Sequence, residues 1–358
     1  MAMTARSEST GSGADLNRQL SRVRAWIGQL RSGTRGLYKV LRANPLTLVG
    51  FALVVLITLT AVALVIVPPT SAAFGYPISL TPYDPNALLP CPTVGNQSFC
   101  AQPPSLEHFF GTDRAGRDVL SRVLTALPLD LAIGFLIAGF ALLTGGALGL
   151  IAGFWDRPGT LGAAVSLAIM RVTDVFLAFP SLVLALAIAA SLGRGTIPSI
   201  IAILLTWWPY YVRLTRGEVL AVKHQPYVTA ARAAGVAEWR ILFRHVLRNI
   251  AEPLVVYFTM DVGTVLVVFS TISFIGIGVP PNVPEWGNMI QAYSDYLLIF
   301  PWVVVFPGLA IFVTVLAFSL LGDGLRDILD PRSRRALSQA ETATSGPAAT
   351  VTAAGASG

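Results

Sequence analysis

Leu46-Thr-Leu-Val-Gly-Phe-Ala-Leu-Val-Val-Leu-Ile-Thr-Leu-Thr-Ala-Val-Ala-Leu-Val-Ile-Val67 runs for 22 residues without a charge. An α-helix of that length crosses a hydrocarbon core about 30 Å thick. The stretch is too long for a signal peptide and no small-residue cleavage site ends it. Five further apolar stretches follow, near 130–154, 162–192, 197–212, 251–277 and 298–321. Lipid offers the backbone no water to bond to, so each is expected to be helical. The expected fold class is an all-α membrane protein with six transmembrane helices.

Composition agrees. Of 358 residues, 54% are apolar and 12% charged, against about 25% charged in soluble domains. One soluble core cannot hide that much apolar surface. Three histidines and two cysteines leave little material for a metal cluster or a disulfide scaffold. A soluble enzyme, a nucleic-acid binder and a secreted disulfide domain are therefore excluded as classes, and no nucleic-acid partner is expected. Basic residues set the orientation, because they are held on the cytoplasmic side. With the N-terminus inside, 21 Lys and Arg fall inside and four (Arg114, Arg117, Arg122, Arg194) outside. Both termini are thus expected in the cytoplasm of a multi-pass chain in the bacterial plasma (inner) membrane.

The resulting layout has a cytoplasmic tail at 1–45, a first span at 46–67 and an external segment at 68–129. A five-helix core follows at 130–321, with a cytoplasmic loop at 213–250 and a C-terminal tail at 322–358, disordered from about 336. Residues 16–42 read as a basic amphipathic helix, either on the anionic inner leaflet or as an ordinary positive anchor. In the external segment, Cys91 and Cys100 lie on the oxidising side, which favours a disulfide closing a small loop. A Cys/Cys/His site with His108 matches no common zinc spacing, and no metal is expected. Gly111-Thr-Asp-Arg-Ala-Gly116-Arg117-Asp118 superficially resembles a phosphate loop. Arg117 and Asp118 replace the Lys and Ser/Thr that such a loop needs, and the segment faces outward. Val119, Leu120, Val123, Leu124 and Leu127 then recur at helical spacing opposite Arg117, Asp118, Ser121 and Arg122. With Thr112 or Asp113 as N-cap, this predicts a helix lying flat at the outer surface, as a re-entry anchor or a substrate gate.

The loop between the fourth and fifth spans carries the most information. It reads Lys223-His-Gln-Pro226-Tyr-Val-Thr-Ala-Ala-Arg-Ala-Ala-Gly235 and continues through Trp239 to Asn249. Pro226 suits a first helical turn and Gly235 a left-handed cap. The alanines between them let a partner surface come close to the backbone. A second helix is expected with Trp239, Leu242, Phe243 and Val246 on one side and Arg240, Arg244 and Arg248 on another. A simple connection needs only a few residues, so this loop reads as a binding element.

That loop resembles the E-A-A…G motif in permease subunits of bacterial ABC importers. The external segment resembles the H-x-F-G-T-D-x-x-G-R-D-V-L-S-R signature of their dipeptide, oligopeptide and nickel branch. Arg171-Val-Thr-Asp174 with Phe179-Pro180, Ser273-Phe-Ile-Gly-Ile-Gly-Val-Pro280 with Trp286-Gly287, and Gly322-Asp-Gly-Leu-Arg-Asp-Ile-Leu-Asp-Pro331 are also similar. The resemblance covers roughly 40–335 and is closest to the C-type permease of a peptide importer. It implies the type I importer permease fold, with Tyr227, Ala230, Ala231, Arg232, Ala234 and Gly235 on a coupling helix that docks on an ATPase subunit. It implies a homologous second permease, two ABC ATPases and an external solute-binding protein as partners, besides membrane lipid. By the same resemblance the chain is not an enzyme and binds no cofactor, ATP and Mg being used by the ATPases. Peptides are the expected solute, with nickel chelates, glutathione or another small solute as the alternative. Thr229 stands in place of the motif's Glu, Arg248 in place of a common Pro, and Pro128 and Asp130 where Arg and Ser are commoner.

A charge within a span suggests function. Asp261 is expected to line the translocation path, or else to bond a neighbouring helix; Asp174 is expected to brace the loop. Gly145, Gly146, Gly149 and Gly153 sit at helix-packing spacing. A secondary transporter or channel would leave the large loop unexplained, and a membrane enzyme lacks converging catalytic residues.

Overall fold

The computed structural model describes residues 45–73, 79–88, 93–94, 97–98 and 100–329. The amphipathic helix expected at 16–42, the tail beyond 329 and Cys91 of the expected disulfide lie outside them. The chain divides into two compact units, Met1–Leu48 and Val49–Gly358. Of the first unit only 45–48 are described; the second holds the helical core.

Ten α-helices and one two-stranded hairpin are described. They are α1 (Pro45–Ala73), β1 (Thr93–Val94), β2 (Gln97–Ser98), α2 (Val119–Phe154), α3 (Leu161–Leu177), α4 (Ser181–Leu192), α5 (Thr196–Val222), α6 (Pro226–Ala233), α7 (Glu238–Ile241), α8 (Leu247–Phe274), α9 (Trp286–Tyr293) and α10 (Pro301–Leu329). β1 and β2 pair antiparallel. Five helices are long and apolar enough to cross a membrane, and α3 with α4 makes a sixth if counted as one broken span. α1 leaves Val55, Leu56, Leu59, Val62 and Val65 exposed, as a helix facing lipid should.

The structure corrects two expectations. The amphipathic stretch does not lie flat before the second span; it is the first third of α2, which runs unbroken for 36 residues. Asp118, not Thr112 or Asp113, is the N-cap, accepting from Ser121 N–H at 2.7 Å. Pro128 does not end the helix. Its missing N–H frees a carbonyl one turn earlier, and close by the Trp286 indole N–H donates to Val123 O at 3.0 Å. The polar face is not turned to water either. Ser121 and Arg122 are buried, and they bond Tyr83 N–H and the Pro85 carbonyl of segment 79–88.

The stretch 162–192 is not one straight helix. α3 and α4 meet at 83°, because the residue before Pro180 is pushed away from helical geometry. α4 has 12 residues, about 18 Å of rise, too short to span alone.

α2 packs most extensively on α5. A Cβ on Gly145 would lie 2.3 Å from Trp208 O, on Gly149 2.5 Å from Val212 O, and on Gly153 2.7 Å from Val219 Cβ. These three glycines, each a helical turn apart, let the two backbones touch. Gly146 meets nothing closer than 3.9 Å and takes no part.

Candidate functional site

The loop after α5 folds as α6 and α7. Pro226 occupies the first turn of α6, where its absent N–H costs nothing. At the other end, Gly235 N–H donates to Arg232 O at 3.0 Å and Val236 N–H to Ala231 O at 3.1 Å. This paired closure requires the left-handed backbone that Gly235 adopts at φ +74°. One side chain of α6 is fully buried: Val228 plugs a cluster of Phe154, Val219, Ile241, Leu242, Val246 and Ile250. Tyr227, Ala230, Ala234 and Gly235 are exposed, an open face of the kind expected of a docking helix. Ala231 and Arg232 are half-buried. Arg232 donates to Glu238, which also receives Arg157 from the α2–α3 turn at 2.7 Å. Thr229 hydroxyl returns to the Gln225 carbonyl of its own helix. Lys223 Nζ caps the end of α2 through Gly153 O at 2.9 Å and Asp156 O at 3.1 Å. Desolvation lowers its pKa below the ordinary lysine value.

The expected stripe of Trp239, Leu242, Phe243 and Val246 is corrected. Residues Leu242–Val246 form a π-turn, which inserts one extra residue into the helix that runs on into α8. Ile241, Leu242, Val246 and Ile250 face the core instead, and Trp239 and Phe243 are exposed at 60% and 58%. A cleft of about 450 Å³ opens among Tyr227, Arg244, His245, Arg248, Asn249 and Glu252.

Asp261 lies inside the packing of α8 on α5, 5% exposed, rather than on an open surface. Trp207 Nε1 donates to its two carboxylate oxygens at 2.9 and 3.1 Å, and Tyr211 OH donates at 2.9 Å. This is the bond to a neighbouring helix that the sequence offered as one of two readings of Asp261. Sequence reasoning missed Trp207 and Tyr211, although a Trp and a Tyr four apart on an apolar helix put two donors on one face. Asp174 pairs with Arg213 at 2.8 Å on α5, bracing α3 against the start of the loop.

The residues of the external motif come together as a knot at the start of α2. Gly111 (φ +71°) has no room for a Cβ, which would meet Gln102 O at 2.5 Å. Asp113 accepts from the N–H groups of Ala115 and Arg117 and from Arg117 Nε at 2.7 Å. Arg117 reaches Tyr293 OH of α9 at 3.1 Å, and its pKa is raised by Asp113 and Tyr293 in spite of desolvation. Gly116 (φ +82°) turns the chain between them. Trp302 of α10 donates to Thr112 O at 3.1 Å. His108 Nδ1 lies 2.9 Å from Asp118 Oδ1, so the imidazole is engaged with a carboxylate. Among the described residues no group of three or more His, Cys, Asp or Glu could hold a metal ion. The motif is thus a tie between α2, α9 and α10.

Residues 145–335 match the family described as binding-protein-dependent transport system inner membrane component. The chain belongs to this family. It is 44% identical over 237 residues to the glutathione transport system permease protein GsiD of Escherichia coli O6:K15:H31 (strain 536 / UPEC), covering 64% of this chain and 74% of that one. GsiD of Shigella boydii serotype 4 gives the same figures, and GsiD of Shigella dysenteriae serotype 1 is 43% identical over the same length. A chain of the MetNI methionine ABC transporter in an inward-facing conformation has a TM-score of 0.45 at 17% identity, over 56% of this chain and 92% of that one. That likeness is too loose to add to the assignment. The chain is therefore a multi-pass inner-membrane permease subunit of an ABC importer, with the type I fold. It is non-catalytic, the ATPase being a separate chain, and its assembly includes ATPase and solute-binding partners. The match takes in α6, the π-turn and Asp261 but begins after the external motif.

Proposed function

We propose that the chain forms half of the translocation path of an ATP-driven importer of short peptides, with glutathione, itself a tripeptide, as the first solute to try. The observation that carries the solute class is the 44% identity with a glutathione transport permease. The external segment's resemblance to the peptide branch supports the wider class. The homologous second permease, two ABC ATPases and an external binding protein complete the assembly, and ATP and Mg act on the ATPases. The α6 side faces the cytoplasm, in keeping with the 21 basic residues assigned there. α6 is the docking element for an ATPase: its exposed Tyr227, Ala230, Ala234 and Gly235 meet the partner, while Val228 transmits the movement to α2, α5 and α8. The permease does no bond chemistry; ATP-driven closure of its partners shifts which side of the path is open.

Uptake of labelled glutathione and of a labelled tripeptide by a deletion strain tests this, with wild type or Gly235→Arg supplied back. A Cβ at 235 meets nothing within 4 Å, and the strain of an Arg at φ +74° falls on the turn that closes α6, so the variant is expected in the membrane at normal abundance but without uptake. Full uptake by the variant would overturn the docking role. Wild-type restoration of neither solute would overturn the solute class.

A further inference from the structure

Asp130 and Glu285 are two buried carboxyls brought together by Trp286, which follows Glu285 in the chain and docks its N–H on Asp130, separate from both the docking loop and the Asp261 clamp. Asp130, on α2, is 1% exposed and Glu285, just before α9, is 0% exposed. The Trp286 N–H donates to Asp130 Oδ2 at 3.2 Å. The other oxygen, Oδ1, is buried and has no hydrogen-bond partner among the described residues. Glu285 is the N-cap of α9: its two oxygens accept from Gly287 N–H at 2.8 Å and Asn288 N–H at 2.7 Å. Two amide donors at a helix N-terminus favour the ionised form of Glu285.

No cation among the described residues balances the pair. On the external segment and the start of α2, Arg117 is held by Asp113 and Tyr293, and Arg122 by Pro85 O and Asn86. α8 carries Ser270, whose buried hydroxyl has no hydrogen-bond partner among the described residues, and Ser273, which accepts from Val279 N–H at 3.4 Å; its Asp261 is tied to Trp207 and Tyr211 of α5. On α3 and α5, Asp174 pairs with Arg213, and Arg216 pairs with Asp156. Two buried carboxylates without a counter-ion cannot both ionise at modest cost.

We propose that Asp130 and Glu285 bind one proton between them, carried on Asp130 Oδ1, and that this proton lets α9 seat on α2. Both N–H groups of Trp286 then dock on α2, through Asp130 and Val123 O. Loss of the proton to solvent leaves two like charges in the joint and loosens α9. Burial raises the Glu285 carboxyl from its ordinary value, in keeping with a pair that titrates as a unit. The sign follows: the folded state keeps a proton that the unfolded chain releases above about pH 4. Stability is therefore full at acid pH and falls as pH rises through the pair's own range. Asp130→Ser removes the second carboxylate without enlarging the side chain.

The test uses the full-length chain in lipid nanodiscs, as wild type, Asp130→Asn and Asp130→Ser. Infrared difference spectra across a pH titration are expected to show a protonated-carboxyl stretch at neutral pH in the wild type that both variants lack. The wild-type unfolding midpoint is expected to fall toward alkaline pH, with a flatter profile in both variants. No protonated-carboxyl band in the wild type, or an undiminished band in both variants, would overturn the proposal. So would parallel midpoint profiles. If one variant fails to fold, the other and the wild-type titration still decide.

Discussion

Trp207 on α5 donates its single indole N–H to both carboxylate oxygens of Asp261 on α8, at 2.9 and 3.1 Å. With Tyr211 OH on the same carboxylate, a buried charge is held by two donors from one neighbouring helix. Trp207→Phe removes one donor while keeping an aromatic ring. A hydrogen bond to a charged group contributes about 1.5–3 kcal/mol in water, and interhelical bonds in membranes contribute about 0.6 kcal/mol on average. The expected loss is about 1–2 kcal/mol, read from unfolding of the purified chain in detergent. Asp261→Asn, which keeps an acceptor, should lose less than Asp261→Ala. An Ala variant as stable as wild type would show that the clamp does not hold α5 to α8.

Gly149 and Gly217 make a matched pair of tests on helices that touch. A Cβ at Gly149 would lie 2.5 Å from Val212 O and 2.8 Å from Thr215 Cβ, and backbone cannot step aside. Gly217, on α5, has open space around it. Gly149→Val is expected to abolish recovery of folded protein. Gly217→Ala should be neutral or stabilising by up to about 1 kcal/mol, because Ala exceeds Gly in helix propensity. Equal yields of the two variants after membrane extraction would contradict the close approach of α2 and α5.

Val228 is the buried plug of α6, 0% exposed. Val228→Ala removes two methyl groups on the loop side of the molecule, and about 2 kcal/mol should be lost from local stability. Hydrogen exchange across α6 and α7 should speed up while α2 and α8 keep their protection. Unchanged exchange in α6 would mean that its anchor lies elsewhere.

Asp118 starts α2 by accepting from Ser121 N–H, Ser121 Oγ and His108. Asp118→Ala loses the cap, worth about 0.5–2 kcal/mol, and leaves His108 without its carboxylate. Asp118→Asn keeps an acceptor and should recover much of the loss. Limited proteolysis of the segment around 79–110 is the readout, with cleavage expected to rise in the order wild type, Asn, Ala.

The six-stretch pattern, the turn at Gly235 and the close glycines were legible because each rests on local chemistry: apolar run length, a left-handed position, a four-residue repeat. The continuity of α2 was not. The sequence suggests a flat helix through Leu127 and a separate span from about 130, and the Trp286 indole that bonds beside their junction comes from more than 150 residues away. Asp261 is recognisable as costly in lipid, but its donors sit on another helix, so its role depends on packing. The misread stripe at Trp239 and Phe243 has the same origin. A 3.6-residue repeat cannot register an extra residue absorbed by a wide turn.

That wide turn sets a heading. Each residue added to a regular helix rotates everything before it by about 100°. The single residue accommodated within Leu242–Val246 therefore fixes the compass direction in which α6 and α7 point relative to Asp261. Winding the same residues as regular helix, with none removed, would swing the loop around the bundle, leaving a well-formed permease whose connector faces the wrong way.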